Sequence, residues 1–159
     1  MPATAAPRAS STLKAILWGG LFAGLGDFLF AHFFYAWRLG VFQNVAGGIM
    51  GLKAARAGGV STYVLGVGLH FLIATSWAAI FWGLSRKLPV LVKYFIPAGL
   101  AYGLVVYLGM NCVVVPFSAI QSPVKLPALI SWPAAAHLFL VGLPIAWATW
   151  KFDPGKTSD

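Results

Sequence analysis

Between Lys14 and Arg38 lie 23 residues, Ala15 to Trp37, whose only formal charge is Asp27. At about 1.5 Å per helical residue, a run of that length reaches across the roughly 30 Å hydrocarbon core of a bilayer. Composition points the same way. Of the 159 residues 60% are hydrophobic and 9% charged, and the mean hydropathy is +0.84, so the chain has too little polar surface to cover a water-soluble domain. The bilayer is its solvent. A carboxylate at mid-membrane costs on the order of 3 kcal/mol on insertion scales, which makes Asp27 a functional residue or one half of a buried polar pair.

Three more apolar runs follow, at about Ser61 to Leu84, Pro89 to Val115 and Pro127 to Trp150. The sequence therefore predicts an all-α integral membrane four-helix bundle, one transmembrane domain over residues 12–150 with spans at about 15–37, 61–84, 89–115 and 127–150. The segment between the first two spans is too glycine-rich and polar to cross. Val41, Val45, Ile49 and Leu52 recur in it at helical spacing, which predicts an interfacial amphipathic helix over about 41–56, with a re-entrant segment as the competing reading. Residues 1–11 read as a disordered cytoplasmic tail, because they are small, Pro-containing and without periodicity. The apolar run behind them outlasts a signal peptide's h-region. Residues 117–126 read as a loop and 151–159 as a polar tail. Pro133 and Pro144 interrupt the fourth run, and each frees a carbonyl that needs a partner.

Four spans put both termini on one side. That side carries seven Lys and Arg (Arg8, Lys14, Arg86, Lys87, Lys93, Lys151, Lys156) against four on the other (Arg38, Lys53, Arg56, Lys125), so the positive-inside rule assigns both termini to the cytoplasm. The net charge of +8 is spread singly over helix ends and forms no basic face, which excludes nucleic acid as a partner. The one cysteine, Cys112, falls inside a span and leaves no intramolecular disulfide to form.

Counting inward from the ends of the spans at about 1.5 Å per residue sets Asp27, His70 and His137 at one depth, roughly 15 Å in. His32 and Asn111 lie about half as deep. Three helices thus deliver ionisable groups to one mid-membrane layer, with two polar groups above it. Asp27 and His32, five residues apart, are about 140° apart around their helix and do not share a face. Two strips of small residues, Gly20/Gly24 leading to Asp27 and Gly99/Gly103 leading to Tyr107 and Asn111, predict close helix–helix approach. A homodimer follows if either strip faces lipid.

The layer supports three readings. It is interhelical glue in a structural or partner-binding membrane subunit, for which a homo-oligomer or another membrane protein is the partner. Alternatively, Asp27 is the titrating carboxylate of a proton-linked small-solute transporter or channel, with His70 and His137 as relay partners and His32 and Asn111 as a vestibule. Third, His70 and His137 hold haem or copper across the bundle, though no two His share a helix at ligand spacing and no C-x-x-C-H occurs. The expectation is no cofactor. Enzymatic chemistry is disfavoured, since G-x-S-x-G, H-E-x-x-H and a phosphate loop are all missing and the membrane holds one carboxylate.

At GLHFLIA (Gly68 to Ala74) and YGLVVYLGMNCVVVPFSA (Tyr102 to Ala119) the chain resembles an uncharacterised family of small bacterial four-helix inner-membrane proteins. The resemblance runs from Leu17 to Trp147. It implies the same architecture and a multi-pass location in the bacterial inner membrane, and it brings no activity, ligand or catalytic residue.

Overall fold

The structure, a computed structural model, describes residues 9–35 and 40–156. The tail residues Met1–Arg8 and Thr157–Asp159 lie outside the described residues, as do Trp37 and Arg38, which were expected to end the first span. Of the described residues 83% are helical and none is in a strand. Among the described residues four segments are long and apolar enough to cross a membrane, Ala9–Phe34, Gly59–Lys87, Phe95–Val114 and Trp132–Lys151. Only helices satisfy their backbone groups within one such segment, so apolar runs of this length fold as helices in lipid.

Helix α1 (Ala9–Phe34) opens inside the stretch expected to be a disordered tail. Two short helices follow, α2 (Gly40–Met50) and α3 (Leu52–Ala57), where one interfacial helix was expected. The break is at Gly51, whose φ of 80° is the left-handed conformation that a residue with a Cβ rarely adopts. The second span, α4, covers Gly59–Lys87. The third begins with a single turn, α5 (Val90–Lys93), and restarts as α6 (Phe95–Gly109). That restart puts Pro97 in the first turn of a new helix, where its missing N–H leaves no bond unmade. The last turn of this span, Met110–Val114, is wound as a π-helix.

The fourth span starts at Trp132 rather than Pro127. Ser131 is extended and its Oγ accepts a hydrogen bond from the Ala134 N–H, so the cap fixes where the helix begins. Helix α7 (Trp132–Ala136) gives way to a second π-helical stretch, His137–Gly142, and then to α8 (Leu143–Lys151). The wide turns sit directly before Pro144, which cannot donate to Leu140. The Leu140 carbonyl instead faces Gly26 of α1, where an added Cβ would stand 3.0 Å from the oxygen.

Both glycine strips are used inside the bundle. A Cβ at Gly20 would crowd the Thr75 Cα of α4 at 2.6 Å, and one at Gly24 would meet the Phe71 ring at 2.6 Å. On the third span, a Cβ at Gly103 would overlap the His137 carbonyl, while a Cβ at Gly142 would overlap the Gly99 carbonyl and the Gly103 nitrogen. Helix α1 accordingly packs on α4 and α8, and α6 on the fourth span. At the end carrying the termini the interior closes on Ala23, Ala78, Phe81, Tyr102, Ile145 and Ala146. Arg86 donates to Asp153 at 2.9 Å there, tying α4 to the residue that follows α8.

The opposite end is capped by α2 and α3. Helix α2 lies against the nearer half of α4, so close at Gly66 that a Cβ would overlap the Phe42 carbonyl. The face it buries is Phe42, Gln43, Ala46 and Gly47, not the Val41, Val45 and Ile49 stripe, and Ile49 is exposed. Gln43 can be buried because its amide donates to the Gly59 carbonyl at 2.9 Å and the Thr62 hydroxyl at 3.3 Å.

Candidate functional site

Asp27, His70 and His137 come together. With Ile73, Trp77 and Met110 they line a cavity of about 60 Å³ in the middle of the bundle, bounded by all four spans. A water molecule needs at least about 10–15 Å³ of such space, so a few can be accommodated. Asp27 reaches it because Gly24 and Gly20, one and two turns earlier, let α1 settle against α4, and α4 carries His70. The Asp27 side chain keeps 24% of its surface accessible and that of His70 13%.

The hydrogen bonds of His70 define its charge pattern. Its Nε2 lies 2.9 Å from the Gly24 carbonyl oxygen, which can only accept, so Nε2 carries a hydrogen. Its Nδ1 lies 4.0 Å from Asp27 Oδ2. In a neutral imidazole that nitrogen would present a lone pair to a carboxylate, an arrangement of like polarity. One proton shared by the pair, on Nδ1 or on Oδ2, turns the repulsion into attraction. At 4.0 Å the two groups make no direct hydrogen bond and are an ion pair only when the ring is protonated.

His137 differs from His70. Its Nδ1 donates to the Pro133 carbonyl of its own helix at 2.8 Å, so in the neutral ring Nε2 is the acceptor, and the Tyr107 ring lies 5.1 Å from its centroid. The residue stands where the fourth span turns π-helical, and Met110, on the far wall, stands where the third span does the same. Single π turns inside α-helices are frequent at functional sites because they re-aim side chains.

His32 and Asn111 do not line the cavity. His32 joins an aromatic cluster, 4.7 Å from Phe28 and 5.5 Å from Phe42 between ring centroids, with its Nε2 3.5 Å from the Tyr63 hydroxyl. The Asn111 amide donates to Tyr107 O on its own helix at 2.8 Å. Phe42 is the centre of that aromatic cluster. It is almost wholly buried and stands edge-on over His70 at 5.4 Å, so α2 covers the dyad from the capped end.

Beside the cavity, and sharing its walls Ile73 and Met110, opens a second and much larger space of about 500 Å³ between α2, α3, α4 and the end of the third span. It is lined by aliphatic side chains, with Asn44, Arg56 and Ser118 as its polar groups. Sequence reasoning missed this cleft. No periodicity signals it, because its walls come from segments up to some 76 residues apart, Asn44 to Ile120.

Among the described residues no group of three or more His, Cys, Asp or Glu is placed to hold a metal ion. His70 Nε2 is already engaged by a carbonyl, and Cys112 points its sulfur toward the Lys125 carbonyl at 3.9 Å, outside the cavity.

No family model matches the chain, and neither a curated protein nor a solved structure is significantly similar to it.

Proposed function

We propose that the chain is a small polytopic membrane protein in which Asp27 and His70 load and release one proton at mid-bundle, linked to the movement of a small solute. The observation that carries this reading is the convergence of Asp27, His70 and His137 from three spans on one water-sized cavity. The proton passes between Asp27 Oδ2 and His70 Nδ1, whose 4.0 Å separation a water in the cavity would bridge, and His137 Nε2 offers the next acceptor. Glue explains the layer less well. Asn111 and His137 direct their amide and ring N–H to carbonyls of their own helices, so these bonds tie no two helices together, whereas His70 bridges spans through Gly24 and His32 through Tyr63. The excess of Lys and Arg on the terminal side assigns both termini to the cytoplasm, in a plasma-membrane setting.

Infrared difference spectroscopy on the reconstituted protein, with proton uptake followed by an indicator dye, tests the reading. A carboxyl band that appears on acidification and vanishes in Asp27→Asn, together with lost uptake in a variant of unchanged helicity, is the expected result. Wild-type uptake by Asp27→Asn would sink it.

The second reading, a structural or partner-binding subunit, is favoured by a different observation. The segment from Phe117 to Ser131 is irregular and, with Trp132 at the start of α7, exposes Phe117, Leu126, Ile130 and Trp132. Cross-linking in native membranes separates the two: a partner or second copy captured through this segment supports the subunit.

A further inference from the structure

The large cleft beside the proton site has a chemistry of its own. Its volume, about 500 Å³, is within the range of roughly 300–1,000 Å³ typical of small-molecule sites. Its floor is aliphatic, with Leu69 and Ile73 of α4, Met110 and Val114 of the third span, and Ile120 beyond it. At its mouth stands Arg56 of α3. The guanidinium is held in place by Asn44 of α2, whose Oδ1 accepts from Nη2 at 3.2 Å and from Nε at 3.4 Å. A neutral amide positions this charge without cancelling it.

Acidic partners for Arg56 are scarce. The chain has three acidic residues. Of these, Asp27 faces His70 and Asp153 binds Arg86, and among the described residues Arg56 makes no ion pair. Lys53, one turn earlier on α3, adds a second exposed cation at the same end. A long apolar trough below an oriented, uncompensated guanidinium is complementary to a molecule with an acyl chain and an anionic head. Two of the side chains that line it, Ile49 of α2 and Val114 of the third span, are themselves exposed and apolar, so the cleft opens sideways, toward the hydrocarbon.

We infer that this cleft is a binding site for an anionic phospholipid of the surrounding bilayer, one acyl chain lying along Leu69, Ile73 and Val114 and the phosphate paired with Arg56. Arginine suits phosphate because its planar fork presents two parallel donors, and at this site Asn44 fixes the fork's orientation. Because the acyl chain would rest on Ile73 and Met110, the same two side chains that wall the proton cavity, an occupied cleft separates that cavity from the hydrocarbon. The inference stands on the cleft and its charge alone and does not depend on the proton-linked reading.

The test uses the full chain in vesicles of zwitterionic phosphatidylcholine doped with a small fraction of phospholipid carrying a photoreactive acyl chain. One probe has a phosphatidylglycerol head and the other a phosphatidylcholine head, and labelled peptides are mapped by mass spectrometry. The expected result is labelling around Leu69–Ile73 and Met110–Val114 that is several-fold stronger with phosphatidylglycerol, with the preference lost in Arg56→Gln. Val114→Trp, which fills the trough, should lower labelling by both probes while leaving helicity and vesicle insertion as in the wild type. Equal labelling by both headgroups, an unchanged preference in Arg56→Gln, or full displacement of the phospholipid by an equal amount of free fatty acid would each overturn the assignment.

Discussion

The two ends of this bundle are built on opposite plans. Toward the termini, glycine and alanine let the helices touch backbone to backbone, Phe81, Tyr102 and Ile145 fill what remains, and an Arg86–Asp153 pair closes the rim. Toward the capped end the third and fourth spans loosen into π turns, the connection from residue 115 to 131 is irregular, and two cavities open. Asp27, His32, His70, Asn111 and His137 all lie at the boundary of the two halves or in the open one. The closed half holds the spans in register, and the open half is where a charge can be accommodated and something can enter. Rigidity and access are thus separated along the membrane normal instead of being balanced within one core.

Substituting Gly142 is the most severe way to break that contrast. A valine there has no space against Gly99 and Gly103, because the obstacle is backbone on both sides. Loss of about 3 kcal/mol or more is expected, read as loss of a monodisperse, helical species in detergent. Gly66→Val sharpens the comparison. It faces the Phe42 carbonyl of α2 just as closely, yet α2 belongs to the cap and not to the four spans. The expected outcome is release of residues 40–57, seen as faster hydrogen exchange there, with the four spans still protected. If Gly66→Val unfolded the whole molecule, the cap would have to be counted as part of the core.

Smaller effects follow inside the closed half. Tyr102 donates its hydroxyl to the Trp77 carbonyl at 2.7 Å, and Tyr102→Phe should lower the unfolding free energy by about 1 kcal/mol in a thermal or denaturant titration. Gly83 is the control for all of these. An added Cβ there meets nothing within 4 Å, so Gly83→Ala should be neutral or stabilise by at most about 1 kcal/mol through helix propensity. A marked loss at Gly83 would mean that its open face is covered by something outside the chain, a second copy or another membrane protein.

How much of this was legible beforehand depended on range. Asp27, His70 and His137 could be set at one depth because lipid thickness and helical rise convert position in a span directly into height. The Gly20/Gly24 and Gly99/Gly103 strips could be seen as close-packing faces because four-residue spacing lines them up on one side of a helix. The spacing of α2 offered an apolar stripe for the interface, Val41, Val45 and Ile49, but did not show which residues meet α4: Phe42 and Gln43 are inside, since Gly66 makes room for one and Gly59 and Thr62 supply acceptors for the other. Span ends were displaced for local reasons, a serine cap before Trp132 and a proline-driven restart after Lys93.

Four apolar spans, polar residues near the middle of three of them and the small residues that let helices meet could all be read from hydropathy and spacing along one helix. Where the polar atoms point emerges from packing between the helices. That Asn111 and His137 turn their donors back on their own helices, that His32 is drawn into the aromatic cluster around Phe42, and that Asn44 and Arg56 come to stand above Leu69 and Met110 all depend on how each helix is rotated about its axis and which neighbour it meets. Rotation and partner choice are set by contacts between residues far apart in the chain, and hydropathy along any one segment does not contain them.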